Sequence, residues 1–152
     1  CLSIGHPNDK MFASYRWKNP EQGWAVLVVD RSVLWALDTA FCALNAADHR
    51  IRQRPLDDLK TLDAFDSLFM PLSHLPSREE SRLLPCDPTD VQAEVLVFDT
   101  LPPELIKGVV FSDPHSLQTY KDCIAGKPAH LHTESRGFLG ARTYARKTGW
   151  TY

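Results

Sequence analysis

One run limits the fold more than any other: Thr89-Asp90-Val91-Gln92-Ala93-Glu94-Val95-Leu96-Val97-Phe98. A turn-prone lead, Cys86-Asp87-Pro88-Thr89-Asp90, feeds a β-branched apolar segment, and Glu94 sits at the junction. Val, Leu and Phe favour extended backbone, and a run apolar on both faces predicts a strand covered on both sides. A carboxylate at the mouth of such a strand is either a solvated end residue or an acid held at the lip of a site. Spacing alone favours the solvated end.

The other segments must supply the layers around that strand. Residues 1–5 read as a short strand, and Gly5-His6-Pro7-Asn8-Asp9 as a turn. Met11, Phe12 and Tyr15 are spaced for a short helix over Lys10–Trp17, and Trp24–Val29 reads as a second strong strand. Asp30 or Ser32 can cap a brief turn at Val33–Ala36, and Thr39–Leu44 predicts another strand. Leu59, Leu62, Phe65 and Phe69 put one or two helical turns over Asp57–Phe69, as core. Pro71 to Asp90 holds four prolines and no periodicity. A loop of that length in a compact domain is functional or disordered. After Glu94 come a Pro-Pro turn with a short helix, a strand at Lys107–Phe111 and an amphipathic helix over Pro114–Ile124. From Gly126 to Tyr152 no period emerges. The sum is a β-rich α+β domain.

At 152 residues the chain is expected to form one domain with a real core. No apolar run approaches the roughly 18 residues of a membrane span, so no membrane partner is expected. Cys1, Cys42, Cys86 and Cys123 lack metal-ligand spacing, and free thiols in a reducing cytosol are the expectation. A net charge of −2 does not announce a nucleic-acid binder. The distribution is uneven, however. The tail from about residue 126 carries Lys127, Arg136, Arg142, Arg146 and Lys147 against Glu134, while Asp57, Asp58, Asp63 and Asp66 cluster in the middle.

Several collinear motifs resemble one family. Gln92-Ala93-Glu94 running into Val95-Leu96-Val97-Phe98 resembles the catalytic strand of the DarT family, toxins that transfer ADP-ribose from NAD onto bases of single-stranded DNA. Ser3-Ile4 with Pro7-Asn8-Asp9-Lys10-Met11-Phe12 is similar to the family's early segment. Trp24–Leu27, Val33-Leu34-Trp35 and Phe41-Cys42 with Asn45-Ala46-Ala47 follow in the family's order. The likeness implies an ADP-ribosyltransferase-like split sheet with short flanking helices and a substrate-recognition loop just before Glu94. Measured against the family, the chain opens midway through a strand, so a segment carrying part of the NAD pocket is expected upstream of Cys1.

Breaking the nicotinamide–ribose bond leaves an oxocarbenium-like carbon, which one carboxylate can stabilise while serving the ribose hydroxyl and the nucleophile's proton. The resemblance gives that role to Glu94. It gives a cation at the NAD phosphates or reacting ribose to Lys10, with Arg16 as the other candidate. Asn8, Met11 and Asn45 are candidates for the NAD pocket, although asparagine also satisfies its own turn and an apolar pair is more often core. Gln92 would share the face of Glu94 on a strand and place the base, and His49 is a second candidate there. For DNA the candidates are Arg78 and Arg82 in the long loop, and Arg142, Tyr144, Arg146 and Trp150 in the tail. Cations can follow phosphates while rings stack on bases.

No metal is expected, and no Gly-rich phosphate loop, Ser-His-Asp pattern or HExxH occurs. Thymine and guanine both remain open as the target. An antitoxin that hydrolyses ADP-ribosyl groups is the partner the resemblance implies. Two other readings stand beside this one: a non-catalytic nucleic-acid-binding remnant of the fold, and a transferase acting on RNA or protein.

Overall fold

A computed structural model describes residues 1–132 and 137–151. Its elements run α1 (Asp9–Lys18), β1 (Ala25–Val29), α2 (Val33–Ala36), β2 (Thr39–Cys42), α3 (His49–Arg52), α4 (Leu56–Leu59), α5 (Leu62–Ser67), β3 (Glu94–Val97), β4 (Ile106–Phe111), α6 (Pro114–Tyr120), β5 (Ala129–Leu131) and α7 (Arg142–Lys147). The strands form two sheets: β1-β4-β5, and β2 paired with β3. This is the α+β, split-sheet arrangement expected of an ADP-ribosyltransferase-like fold.

β2 and β3 run antiparallel in the register Thr39↔Val97 to Cys42↔Glu94. Leu2 closes the other edge of β3, exchanging both backbone bonds with Val95. The strand expected at residues 1–5 is therefore a single bridging residue, yet it makes β3 a central strand. Phe41, Ala64, Leu68, Ala93 and Val95 pack on one face, and Ala40, Cys42, Leu44, Ile51 and Leu59 on the other. Both faces of β3 are thus covered, as its composition requires.

The helical stretch expected over Asp57–Phe69 is two helices, since Thr61 begins a new one by capping Ala64 N–H. Leu62 points outward and is not core. The helix expected to reach Ile124 ends at Tyr120 and tightens into a 3-10 turn. Residues 68–93 form neither helix nor strand, and the long irregular loop stands. Two tail elements had no sequence signal: β5, parallel to β4 and exposed throughout, and α7. Arg136 and Glu134 lie outside the described residues. Among those described, no helix is long and apolar enough to cross a membrane.

Candidate active site around Glu94

Glu94 is the first residue of β3, opposite Cys42, the last of β2. Beyond Cys42 the chain turns through Asn45-Ala46-Ala47 and folds back over the strand end. That turn gives Glu94 its partners. Asn45 Nδ2 donates to Oε1 at 3.1 Å and the Ala46 backbone N–H donates to Oε2 at 2.8 Å. Ala47 N–H in turn donates to Asn45 Oδ1 at 2.9 Å, which fixes the amide the right way round. The Cys1 thiol lies 3.9 Å from Oε1.

These bonds explain how a strand-end acid comes to be only 7% exposed. Burying a carboxylate without donors is costly, and one donor per oxygen offsets part of that cost while fixing the plane of the group. The solvated-end alternative fails on this geometry. Among the described residues, no Lys, Arg or His forms an ion pair with Glu94. Its negative charge is oriented but not neutralised. Burial first, and then the charge of Glu94, push the Cys42 thiol up, so it stays protonated.

Asn45 therefore meets Glu94, where the sequence placed it in the NAD pocket. Lys10 and Arg16 do not reach the carboxylate. Lys10 is exposed on the first turn of α1. Arg16 Nη1 donates to Leu139 O at 2.9 Å, and its guanidinium lies over Phe12. Asn8 caps α1 through Met11 N–H, leaving its Nδ2 buried without a hydrogen-bond partner, and the Met11 side chain faces outward. Gln92 sits in the turn before β3, its N–H bonded to Asp90 Oδ1, so the strand-face argument for it does not hold. His49 opens α3 beside Asp48 with its ring exposed. Arg50 bonds Asp48 from side chain and backbone and holds that carboxyl well below the usual range.

The loop before Glu94 has a different architecture. An irregular backbone leaves carbonyls that need donors, and arginine brings five N–H groups. Arg78 donates to the carbonyls of Asp87 and Leu84 and to Thr89 Oγ1. Arg142 donates to Pro88 O at 2.7 Å and Thr89 O at 3.1 Å. Arg146 forks onto the fully buried Asp87, Nε to Oδ2 at 2.5 Å and Nη2 to Oδ1 at 2.7 Å. Arg142 and Arg146 are themselves buried. All three cations proposed from sequence to follow phosphates hold the loop instead. Arg82 is exposed in the left-handed region, Tyr144 is exposed, and Trp150 packs at right angles to Phe138, His132 and His6.

The early motif grips the same tail. Arg142 N–H donates to Asp9 Oδ2 at 2.6 Å, and His6 Nε2 meets Gly140 O at 2.9 Å. Burial pushes the His6 pKa down, against the raising effects of Gly140 and Asp9. Between α1, the loop and the tail lies a cleft of about 480 Å³ whose lining includes Lys10, Leu75, Val91 and Arg142. Sequence reasoning did not foresee it, since its walls come from four separated segments. Glu94, a spare buried amide donor at Asn8 and a free cation at Lys10 are a donor set that suits a phosphate- and hydroxyl-rich dinucleotide. Among the described residues no group of three or more His, Cys, Asp or Glu is placed to hold a metal.

The family model described as ssDNA thymidine ADP-ribosyltransferase, DarT, matches residues 6–138. The matched range includes α1, the loop and Glu94 and stops short of α7. No curated protein matches the chain.

Proposed function

The chain belongs to the DarT family of ADP-ribosyltransferases, and we propose that it transfers ADP-ribose from NAD to a base of single-stranded DNA, with Glu94 as the catalytic carboxylate. The observation that carries this is the state of Glu94: buried, held by one neutral donor on each oxygen, and unpaired with any described cation. A carboxylate so held is a preorganised negative charge. It stabilises a developing cation without reorganising at the moment of reaction.

In the step itself the bond from ribose C1′ to the nicotinamide nitrogen breaks, and nicotinamide leaves with the electron pair. C1′ carries the positive charge until a nitrogen of the base bonds to it, and the proton on that nitrogen is released. Each Glu94 oxygen has a lone pair beyond the one its donor occupies. One can hold a ribose hydroxyl, and the other can face C1′ and then receive the base's proton. Lys10 and the spare amide of Asn8 are the groups we assign to the dinucleotide. Thymine is the base we assign, after the family's description. By the same resemblance the activity acts as a toxin in the cytoplasm, countered by an antitoxin that hydrolyses the ADP-ribosyl group.

The experiment incubates the chain with NAD labelled in the adenosine half and single-stranded DNA, double-stranded DNA, RNA or protein. The reading predicts label on thymine-containing single strands and none from Glu94→Ala. Label confined to RNA or protein, or label on DNA from the variant at the unsubstituted rate, overturns it.

A further inference from the structure

We propose that the cleft between α1 and the loop ahead of Glu94 holds a nucleotide of the acceptor strand, next to the base that is modified. The proposal rests on the transfer reading above and says where the strand lies.

The lining brings together Ala13 of α1, Leu75, Pro76 and Leu83 of the loop, Val91 of the turn before β3, and Thr143 of α7. At about 480 Å³ the cleft falls within the size range of small-ligand sites. Apolar walls of this kind take the face of a base without demanding one particular base. Lys10 lines the cleft as well, exposed and with no ion pair among the described residues, so a phosphate in the cleft meets a cation. Exposed Arg82, flanked by the lining residues Ser81 and Leu83, adds positive charge nearby. Two acids also line the site. Each already accepts a backbone N–H, Asp9 from Arg142 and Asp90 from Gln92.

The loop wall is held in place before any ligand arrives. Arg78, Arg142 and Arg146 occupy its carbonyls and Asp87, which lowers the ordering cost of binding. The position favours the strand over the dinucleotide. Glu94, against which the reacting ribose must lie, is absent from the lining and bonds to the Asn45–Ala46 turn instead. Val91 does line the cleft, and the chain runs from it directly to Glu94. A strand lying there leads its neighbouring base toward the carboxylate.

Lys10 can serve a phosphate of either ligand, so it does not discriminate between them. Ala13 and Thr143 do, being exposed and able to take a bulky side chain without opening the core. Ala13→Trp and Thr143→Trp are compared with the unsubstituted chain in fluorescence anisotropy with a dye-labelled single-stranded oligodeoxynucleotide, and in steady-state NAD hydrolysis, with circular dichroism to check the fold. The expected result is DNA binding about tenfold weaker with KM for NAD unmoved. Binding equal to the unsubstituted chain in both variants overturns the proposal, and so does a raised KM for NAD, which would make the dinucleotide the occupant. Should the unsubstituted chain bind the oligonucleotide in the cleft yet leave NAD intact, the transfer reading fails and the cleft assignment stands.

Discussion

Two carboxylates on one stretch of chain are both buried and have opposite fates. Asp87 is fully buried and meets the Arg146 guanidinium with both oxygens, while one of them also accepts Leu84 N–H. Glu94 is nearly as buried, yet its donors are a side-chain amide and a backbone N–H. Arg146 cancels the first charge, and that pair holds a loop together. The second charge is left for something else to cancel, and a ribose that turns cationic is what the reaction supplies. Burial alone does not identify a working acid. Its partners do.

The largest effect expected from this contrast is on stability. Asp87→Ala leaves a guanidinium buried without its carboxylate, a change that costs about 3–5 kcal/mol. The urea midpoint should fall accordingly. A midpoint within experimental error of the unsubstituted chain would mean that the pair carries little.

Next comes the orientation of Glu94. Asn45→Ala removes the donor to Oε1 and should cost about 1–3 kcal/mol of transition-state stabilisation, roughly ten- to a hundredfold in kcat. KM for NAD should stay where it is. Asn45→Asp should lose more, because it sets a like charge against Glu94. If Asn45→Ala turned over at the unsubstituted rate, the Ala46 N–H alone would be orienting the group.

A smaller, pH-dependent effect is expected in the tail. Burial lowers the pKa of His6, and burial with the neighbouring His130 lowers that of His132. Both pKa values lie below the unfolded reference of about 6.5, so the unfolded chain binds more protons just below that pH. Stability from these groups is full above about pH 6.5 and lost as the pH falls through the depressed folded values. Thermal unfolding measured from pH 8 to 5 should decline on the acid side, and His6→Gln should flatten the slope. An unchanged slope would put the acid sensitivity elsewhere.

The β3 run was legible because its signal is local: composition alone demanded cover on both faces, and β2, Leu2 and α5 provide it. Helix α1 and strand β1 were legible for the same reason and lie within a residue or so of expectation. Helix α7 was not, because it buries Arg142, Ala145 and Arg146, and a helix that turns guanidinium groups inward has no apolar period to detect. Its arginines read as a surface for phosphates when the loop's unpaired carbonyls had already claimed them. At the site, Glu94 stood out by its position at the mouth of a strand. Its bond to Asn45 depended on how a turn closes over β3 from far along the sequence, which spacing cannot report.

The most direct test sets Glu94→Gln against Asp87→Asn, each variant removing one charge while keeping the side chain's size. Both are scored for urea midpoint and for transfer of labelled ADP-ribose to single-stranded DNA per folded molecule. The account predicts a crossed result. Glu94→Gln should lose about 10²–10³ in rate with its midpoint held, and Asp87→Asn should lose midpoint and keep a far larger share of its rate. Transfer by Glu94→Gln at the unsubstituted rate would contradict it.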